Sequence, residues 1–192
     1  MSRIDDLVRE LCPDGVEYKA LGDILQYEQP QKYLVGSTQY DDSFPVPVLT
    51  AGQTFVLGRT KETQGVYPAS PDNPVIIFDD FTTARKWVDF PFKVKSSAMK
   101  MLTVGPGVDA LLRYVWFAMK SVEYQPGEHA RQWIATYSTL RVPAPPLEVQ
   151  RAIVEILDTF SKLEAELEAE LAARRKQYEY YRDRLLAFEE KV

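Results

Sequence analysis

From Leu147 to the C-terminus the chain contains no Pro and no Gly, although the whole sequence carries 13 Pro and 9 Gly. Along that stretch apolar residues recur at steps of three and four: Ile153, Leu157, Phe160, Leu163, Leu167, Leu171, Tyr178, Tyr181, Leu185 and Phe188, with Arg174 as the one polar interruption. The pattern predicts a long helix with an apolar seam at nearly heptad period, suited to lengthwise packing against another helix. Asp158, Thr159 and Ser161 are all capping residue types, so a break between Asp158 and Ser161 is also expected as an option. From Ser161 to Phe188 such a helix would be about 40 Å long at 1.5 Å per residue. That exceeds the diameter of a domain of about 140 residues, so much of it must project.

The text before the helix changes period. Ser2 to Leu11 reads as a short amphipathic helix with Ser2 and Asp5 as a capping box and Ile4, Leu7, Val8 and Leu11 on one face. Strand-like segments follow at Val46 to Thr50, Thr54 to Leu57, Val75 to Phe78, Trp87 to Val94 and Ala98 to Val104, separated by turn clusters such as Pro71-Asp72-Asn73-Pro74. Asp109 to Val122 predicts a second helix, capped by Asp109 and apolar almost all round, hence buried. Thr139 to Pro146 is an extended proline strap leading into the long helix. The expected architecture is α+β: a mixed-strand globule over residues 1–145, then a helical segment over 146–192.

Charge along the helix is sorted by position. Glu164, Glu166, Glu168 and Glu170 fill the first half, and Arg174, Arg175, Lys176, Arg182 and Arg184 the second. This suits the helix dipole, and it suits antiparallel pairing with an identical helix, in which each acidic half lies beside a basic half. A surface helix with solvated charges fits the same residues. If the helix pairs, Leu163, Leu167, Leu171, Tyr178, Tyr181 and Leu185 form the dimer interface, in an antiparallel coiled coil.

The 192 residues, 45% hydrophobic, suffice for one sizeable core. A single cysteine, Cys12, excludes an internal disulfide framework or a cysteine-based zinc site. No apolar run approaches a membrane span and the first residues are not a signal peptide, so a cytoplasmic protein without membrane contact is expected. Net charge is −5, and residues 1–145 hold 15 Lys and Arg against 17 Asp and Glu. Nucleic-acid binding would therefore have to rest on local patches or on a partner.

Catalytic signatures are few. Pro13-Asp14 followed by Glu17-Tyr18-Lys19 imitates a metal-dependent nuclease pattern, but the two parts are too close to occupy neighbouring strands. Asp79 and Asp80 would point to opposite faces of a strand and read as loop anchors rather than metal ligands. His129 is the only histidine, and no glycine-rich phosphate loop or nucleophile elbow is present. The chain reads as a non-catalytic binder with no metal and no cofactor of its own.

Its loops carry side chains able to contact bases and phosphates. Candidate DNA-binding residues are Lys32 and Tyr33; Arg59 and Lys61; Thr83, Arg85 and Lys86; Lys95, Ser97 and Lys100; and His129 and Arg131. The segments Thr82 to Trp87 and Lys93 to Lys100 set five cations against the single acid Asp89, a basic patch in an acidic protein. A coiled-coil scaffold or adaptor whose globule binds protein is the alternative function.

Two stretches carry a family resemblance: Leu11-Cys12-Pro13-Asp14-Gly15-Val16-Glu17-Tyr18 near the start, and Pro145-Pro146-Leu147-Glu148-Val149-Gln150-Arg151 with the helix that follows. They resemble the opening and closing signatures of one target recognition domain plus conserved helix in the DNA-specificity (S) subunit of type I restriction-modification systems. Leu49-Thr50-Ala51-Gly52-Gln53-Thr54 and Ile77-Phe78-Asp79-Asp80-Phe81-Thr82 are similar to one subclass of those domains. The resemblance implies a sequence-specific DNA-recognition subunit without catalytic activity. It implies that a methyltransferase (M) subunit supplies S-adenosylmethionine and that a restriction (R) subunit joins for cleavage. The family's subunit carries two such domains on an antiparallel helix pair and reads a bipartite site. One domain and one helix therefore imply a half-subunit that works as a homodimer or with another S half, on double-stranded DNA.

Overall fold

The computed structural model describes residues 3–52, 54–126 and 131–188. In chain order its elements are α1 (Arg3–Leu11), β1 (Tyr18–Ala20), α2 (Leu21–Ile24), β2 (Leu25–Glu28), β3 (Val46–Leu49), β4 (Val56–Thr60), β5 (Val75–Asp79), β6 (Arg85–Val88), β7 (Lys93–Val94) and β8 (Met99–Val104). Then come α3 (Leu112–Ser121), α4 (Gln132–Ala135), β9 (Arg141–Pro143) and α5 (Leu147–Leu185). The strands form an antiparallel sheet in the order β2-β8-β5-β6, a three-stranded sheet β4-β3-β7 whose β3–β7 pair is parallel, and the ribbon β1-β9. A mixed-strand globule followed by a long C-terminal helix is the α+β architecture expected.

Val75-Ile76-Ile77-Phe78 is a continuous apolar run because β5 is covered on both faces. Ile76 and Phe78 enter a core with Leu102, Trp116, Met119, Trp133 and Tyr137. Val75 and Ile77 enter a second core with Leu49, Val88, Phe92, Val94, Met99 and Met101. Each such side chain withdrawn from water is worth about 1.5–3 kcal/mol, so this four-strand sheet is the scaffold that fixes the loops at its ends.

Several boundaries differ from expectation, each for a local reason. The segment Trp87 to Val94 is two strands, because Pro91 interrupts the ladder between β6 and β7. The strand expected at Thr54 to Leu57 begins at Val56 and continues to Thr60, as Thr50 and Thr54 close the preceding turn: Thr50 Oγ1 donates to Thr54 O at 2.8 Å. The helix expected from Asp109 starts at Leu112, and Asp109 does not cap it. Gln150 of α5, 1% exposed, instead ties down the segment that leads into α3. Its Oε1 accepts from Leu111 N–H at 2.9 Å, while its Nε2 donates to Asp109 O at 3.3 Å and to Pro145 O at 2.8 Å. β1, β2 and β9 lay outside the expected strands; β9 is the strap, whose pairing with β1 brings the N-terminal segment against the root of α5.

α5 is unbroken through Asp158 to Ser161. Two of the three polar residues that would start a new helix are used otherwise. Thr159 Oγ1 bonds back to Glu155 O at 2.8 Å, and Asp158 accepts from Arg113 Nε of α3 at 2.6 Å. The 39-residue helix is about 58 Å long. Its first turns bury Val149, Gln150 and Ala152 against the globule, while every residue from Lys162 to Phe188 is exposed. No helix among the described residues is long and apolar enough to cross a membrane.

Candidate nucleic-acid interface

Strand directions bring the described residues of four connecting segments to one end of the two larger sheets: 50–52 with 54–55 between β3 and β4, 80–84 between β5 and β6, 95–98 between β7 and β8, and 122–126 with Arg131. Backbone hydrogen bonds tie them together. Lys95 N–H donates to Leu49 O at 3.2 Å, Asp80 N–H to Ala98 O at 3.0 Å, and Gln132 N–H to Asp80 O at 2.7 Å.

Asp79 and Asp80 anchor that end, as their place after β5 suggested. Asp79 Oδ1 accepts from Phe81 N–H, Thr82 N–H and Thr82 Oγ1 at 3.0, 2.8 and 3.0 Å, an Asx turn that presents Thr82 at the tip. Thr83 follows at φ 57°, a left-handed conformation uncommon for a branched residue. Asp80 is fully buried; its Oδ1 accepts from Trp133 N–H at 2.8 Å and its Oδ2 lies 3.1 Å from Lys100 Nζ and 3.5 Å from Arg131 Nη1.

The candidate cations divide sharply in this geometry. Lys100 is corrected from patch to interior: it is 1% exposed, paired with Asp80, and stacked 4.6 Å from the Tyr27 ring. Lys93, one of the five expected patch cations, is 4% exposed and paired with Glu62 at 3.2 Å. Both sit on strands buried at successive positions, so either face is inward, and each needs its acid to be there at all. Arg59 is drawn down to the 41–45 loop, donating to Phe44 O at 2.5 Å and Pro45 O at 2.6 Å. Thr83 is buried, and Arg85 is half-buried with Nη2 donating to Met119 O at 2.6 Å.

What remains open at the loop end is Lys95, Ser97 and Arg131, with Lys86 half-buried beside Arg85. Lys95 Nζ stands 6.0 Å from the Tyr40 ring, and Arg131 lies 6.0 Å from the Phe81 ring with half its side chain in solvent. Lys32 and Lys61 are elsewhere, lining a separate cleft with Glu62, Gly65 and Lys93. There Glu62 accepts from Ser37 N–H at 2.7 Å and from Gly36 N–H at 3.1 Å. These bonds, Ser37 foremost, and then Lys93 hold its carboxyl below the usual range. Tyr33 donates to Glu28 at 3.0 Å, and burial with that carboxylate pushes its hydroxyl up to about 12. His129 lies outside the described residues.

Lys120 and Trp116 of α3 also border the loop end, beside Arg85 and Lys86. The sequence placed both on a helix expected to be buried; the only signal was Lys120 itself, one of two cations, with Arg113, in an otherwise apolar run. No group of three or more potential metal-ligating side chains assembles among the described residues.

On α5 the six seam residues are all in solvent, from 48% exposed at Leu163 to 70% at Leu185. Arg182 and Arg184 stand near its far end, and Glu164 to Glu170 nearer the globule.

No protein-family model matches the chain. The type I restriction enzyme EcoR124I/EcoR124II specificity subunit of Escherichia coli is 52% identical, over 99% of this chain and 49% of that protein. A putative type I specificity subunit of Mycoplasma pneumoniae is 57% identical over 42 residues, 22% of this chain and 15% of its own. Among solved structures, a type I restriction-modification S subunit from M. genitalium superposes with a TM-score of 0.64 at 14% identity, over 91% of this chain and 47% of that one. The HsdS subunit from Thermoanaerobacter tengcongensis does so with a TM-score of 0.52 at 16% identity, over 87% and 44%. At such identities the solved structures speak for the fold, while the E. coli relative carries the family; the chain spans about half the length of that relative. The chain therefore belongs to the specificity subunits of type I restriction-modification systems, matching about half the length of the E. coli relative.

Proposed function

We propose that this chain is a non-catalytic DNA-recognition subunit that directs a type I methyltransferase subunit, and with it a restriction subunit, to a bipartite site on double-stranded DNA. The observation that carries the reading is the division of labour in the fold. Four loops are fixed at one end of the sheets with Lys86, Lys95 and Arg131 on or beside them, and a projecting helix exposes an apolar seam that its own globule cannot cover. S-adenosylmethionine belongs to the methyltransferase partner in this scheme.

The seam is covered by a second such helix running antiparallel, supplied by a second copy of this chain. Pairing Leu167 with Tyr178 of the mate places Phe160 against Leu185, so apolar positions meet at both, while Leu171 faces Arg174, the one polar position of the seam. Acidic and basic halves then face each other. Two-fold symmetry makes the contact self-complementary and sets the two loop ends at opposite ends of the pair. The expected target is an inverted repeat with an unread spacer, its half-sites about one duplex turn apart.

Sedimentation at micromolar concentration, alone and with another S half, tests the pairing, and gel shift on random-sequence duplexes with and without methyltransferase subunit tests the DNA reading. A dimer whose methyltransferase complex binds duplex more tightly than either part supports the proposal. Duplex-independent binding of protein only would favour an adaptor role and contradict it.

A further inference from the structure

Between the 80–84 loop, β6 and α3 lies a cleft of about 690 Å³ whose walls include Ala51, Gly52, Arg85, Lys86, Trp116 and Lys120. Three of its lining residues are cations and none is an acid. Among the described residues neither Lys86 nor Lys120 has a carboxylate within ion-pair distance, whereas Lys93 and Lys100 are both paired. Lys120 Nζ instead stands over the Trp116 ring at 5.1 Å and the Phe117 ring at 5.8 Å. Arg85 is clamped by Met119 O, yet its buried Nε has no acceptor. Like charges held together in a protein of net charge −5 raise the local potential and favour an anion at that spot.

We infer that this cleft seats one backbone phosphate of the DNA, held between Lys86 and Lys120, with the Trp116 ring as an apolar wall for the adjoining sugar. The assignment rests on the proposal that the loop end faces DNA, and it goes further by giving Lys120 and Trp116 of α3 a part in the contact. Lys86 and Lys120 then position the duplex and carry no sequence information, because an ammonium on a phosphate reads no base edge. Arg85, tied to the end of α3, fixes the cleft's inner wall and adds charge without leaving its place.

The test uses the full chain with the methyltransferase subunit and a pool of random-sequence duplex, titrated over chloride concentration. Lys86→Ala and Lys120→Ala should each make the log–log salt dependence of binding shallower by about 0.9 per copy engaged on the duplex. Their weakening should be equal on all sequences, Lys120→Arg should restore the slope, and thermal melting should confirm that each variant folds. A double variant that binds with the wild-type slope overturns the cleft assignment while leaving the DNA reading intact, and so does weakening confined to one base position. Wild-type complex that fails to bind duplex overturns both. If inorganic phosphate raises the melting temperature of wild type but not of the double variant, and the duplex slope stays unchanged, the cleft holds a free anion and the DNA assignment falls.

Discussion

Lys100 Nζ and Asp80 Oδ2 sit 3.1 Å apart with neither side chain exposed by more than 1%. The pair joins β8 to the loop after β5, and Asp80 also accepts from Trp133 N–H and donates its own N–H to Ala98 O, so one residue, through side chain and backbone, ties three of the four loops at the open end of the sheet. Removing Lys100 leaves the buried Asp80 carboxylate with only the half-exposed Arg131, 3.5 Å away, as its cation. Lys100→Ala is expected to destabilise the protein by about 3–5 kcal/mol. Urea denaturation measures it, and a loss below about 1 kcal/mol would mean that the ammonium contributes little to holding the loops.

Gln150 makes a second prediction, at the root of α5. Gln150→Ala would orphan Leu111 N–H and leave Asp109 O and Pro145 O without their donor. Each unsatisfied buried group costs about 1–3 kcal/mol. A total loss of at least about 2 kcal/mol is expected in denaturation, with faster hydrogen exchange at the Leu111 amide. Unchanged exchange there would show that water replaces the side chain.

Glu62 gives the pH dependence. Its folded carboxyl titrates below its ordinary value of 4.5, held down first by Ser37 N–H. A depressed carboxyl contributes stability that is present above its unfolded pKa and is lost as pH falls through the folded value. The stability of wild type should therefore drop more steeply than that of Glu62→Gln as pH falls below about 4.5. Parallel profiles for the two would contradict the bonding described for Ser37 and Gly36.

Much of this architecture is legible from periodicity. The α5 seam shows because exposure leaves its spacing undisturbed, and β5 shows because two cores demand four apolar residues in a row. The anchoring role of Asp79 and Asp80 follows from their place at a strand end. β1 and β9 are three residues each and exist only because they pair across the chain, a relation no local pattern carries. The candidate patch was legible only in part for the same reason. Lys100 and Lys86 look alike in sequence, and what separates them is Asp80, which lies 20 positions from one and 6 from the other in sequence but faces only Lys100 in space. The entry to α3 is likewise held by Gln150, 39 positions away from Leu111, rather than by a cap at Asp109.

The seam makes a further prediction. Leu167→Glu combined with Leu171→Glu places charge on a surface that is already in solvent within one chain, so the globule should melt as in wild type, with a change within about 0.5 kcal/mol. The same change should abolish the dimer and methylation with the methyltransferase subunit. A double variant that still sediments as a dimer would move the interface off α5.

The most direct measurement maps the sites methylated when this chain and a type I methyltransferase subunit act together on a random-sequence library, with no other S chain present. The account predicts one bipartite motif whose halves are inverted repeats around an unread spacer, because two identical loop ends are held in two-fold symmetry by paired α5 helices. A non-palindromic motif, or methylation without sequence preference, would contradict it.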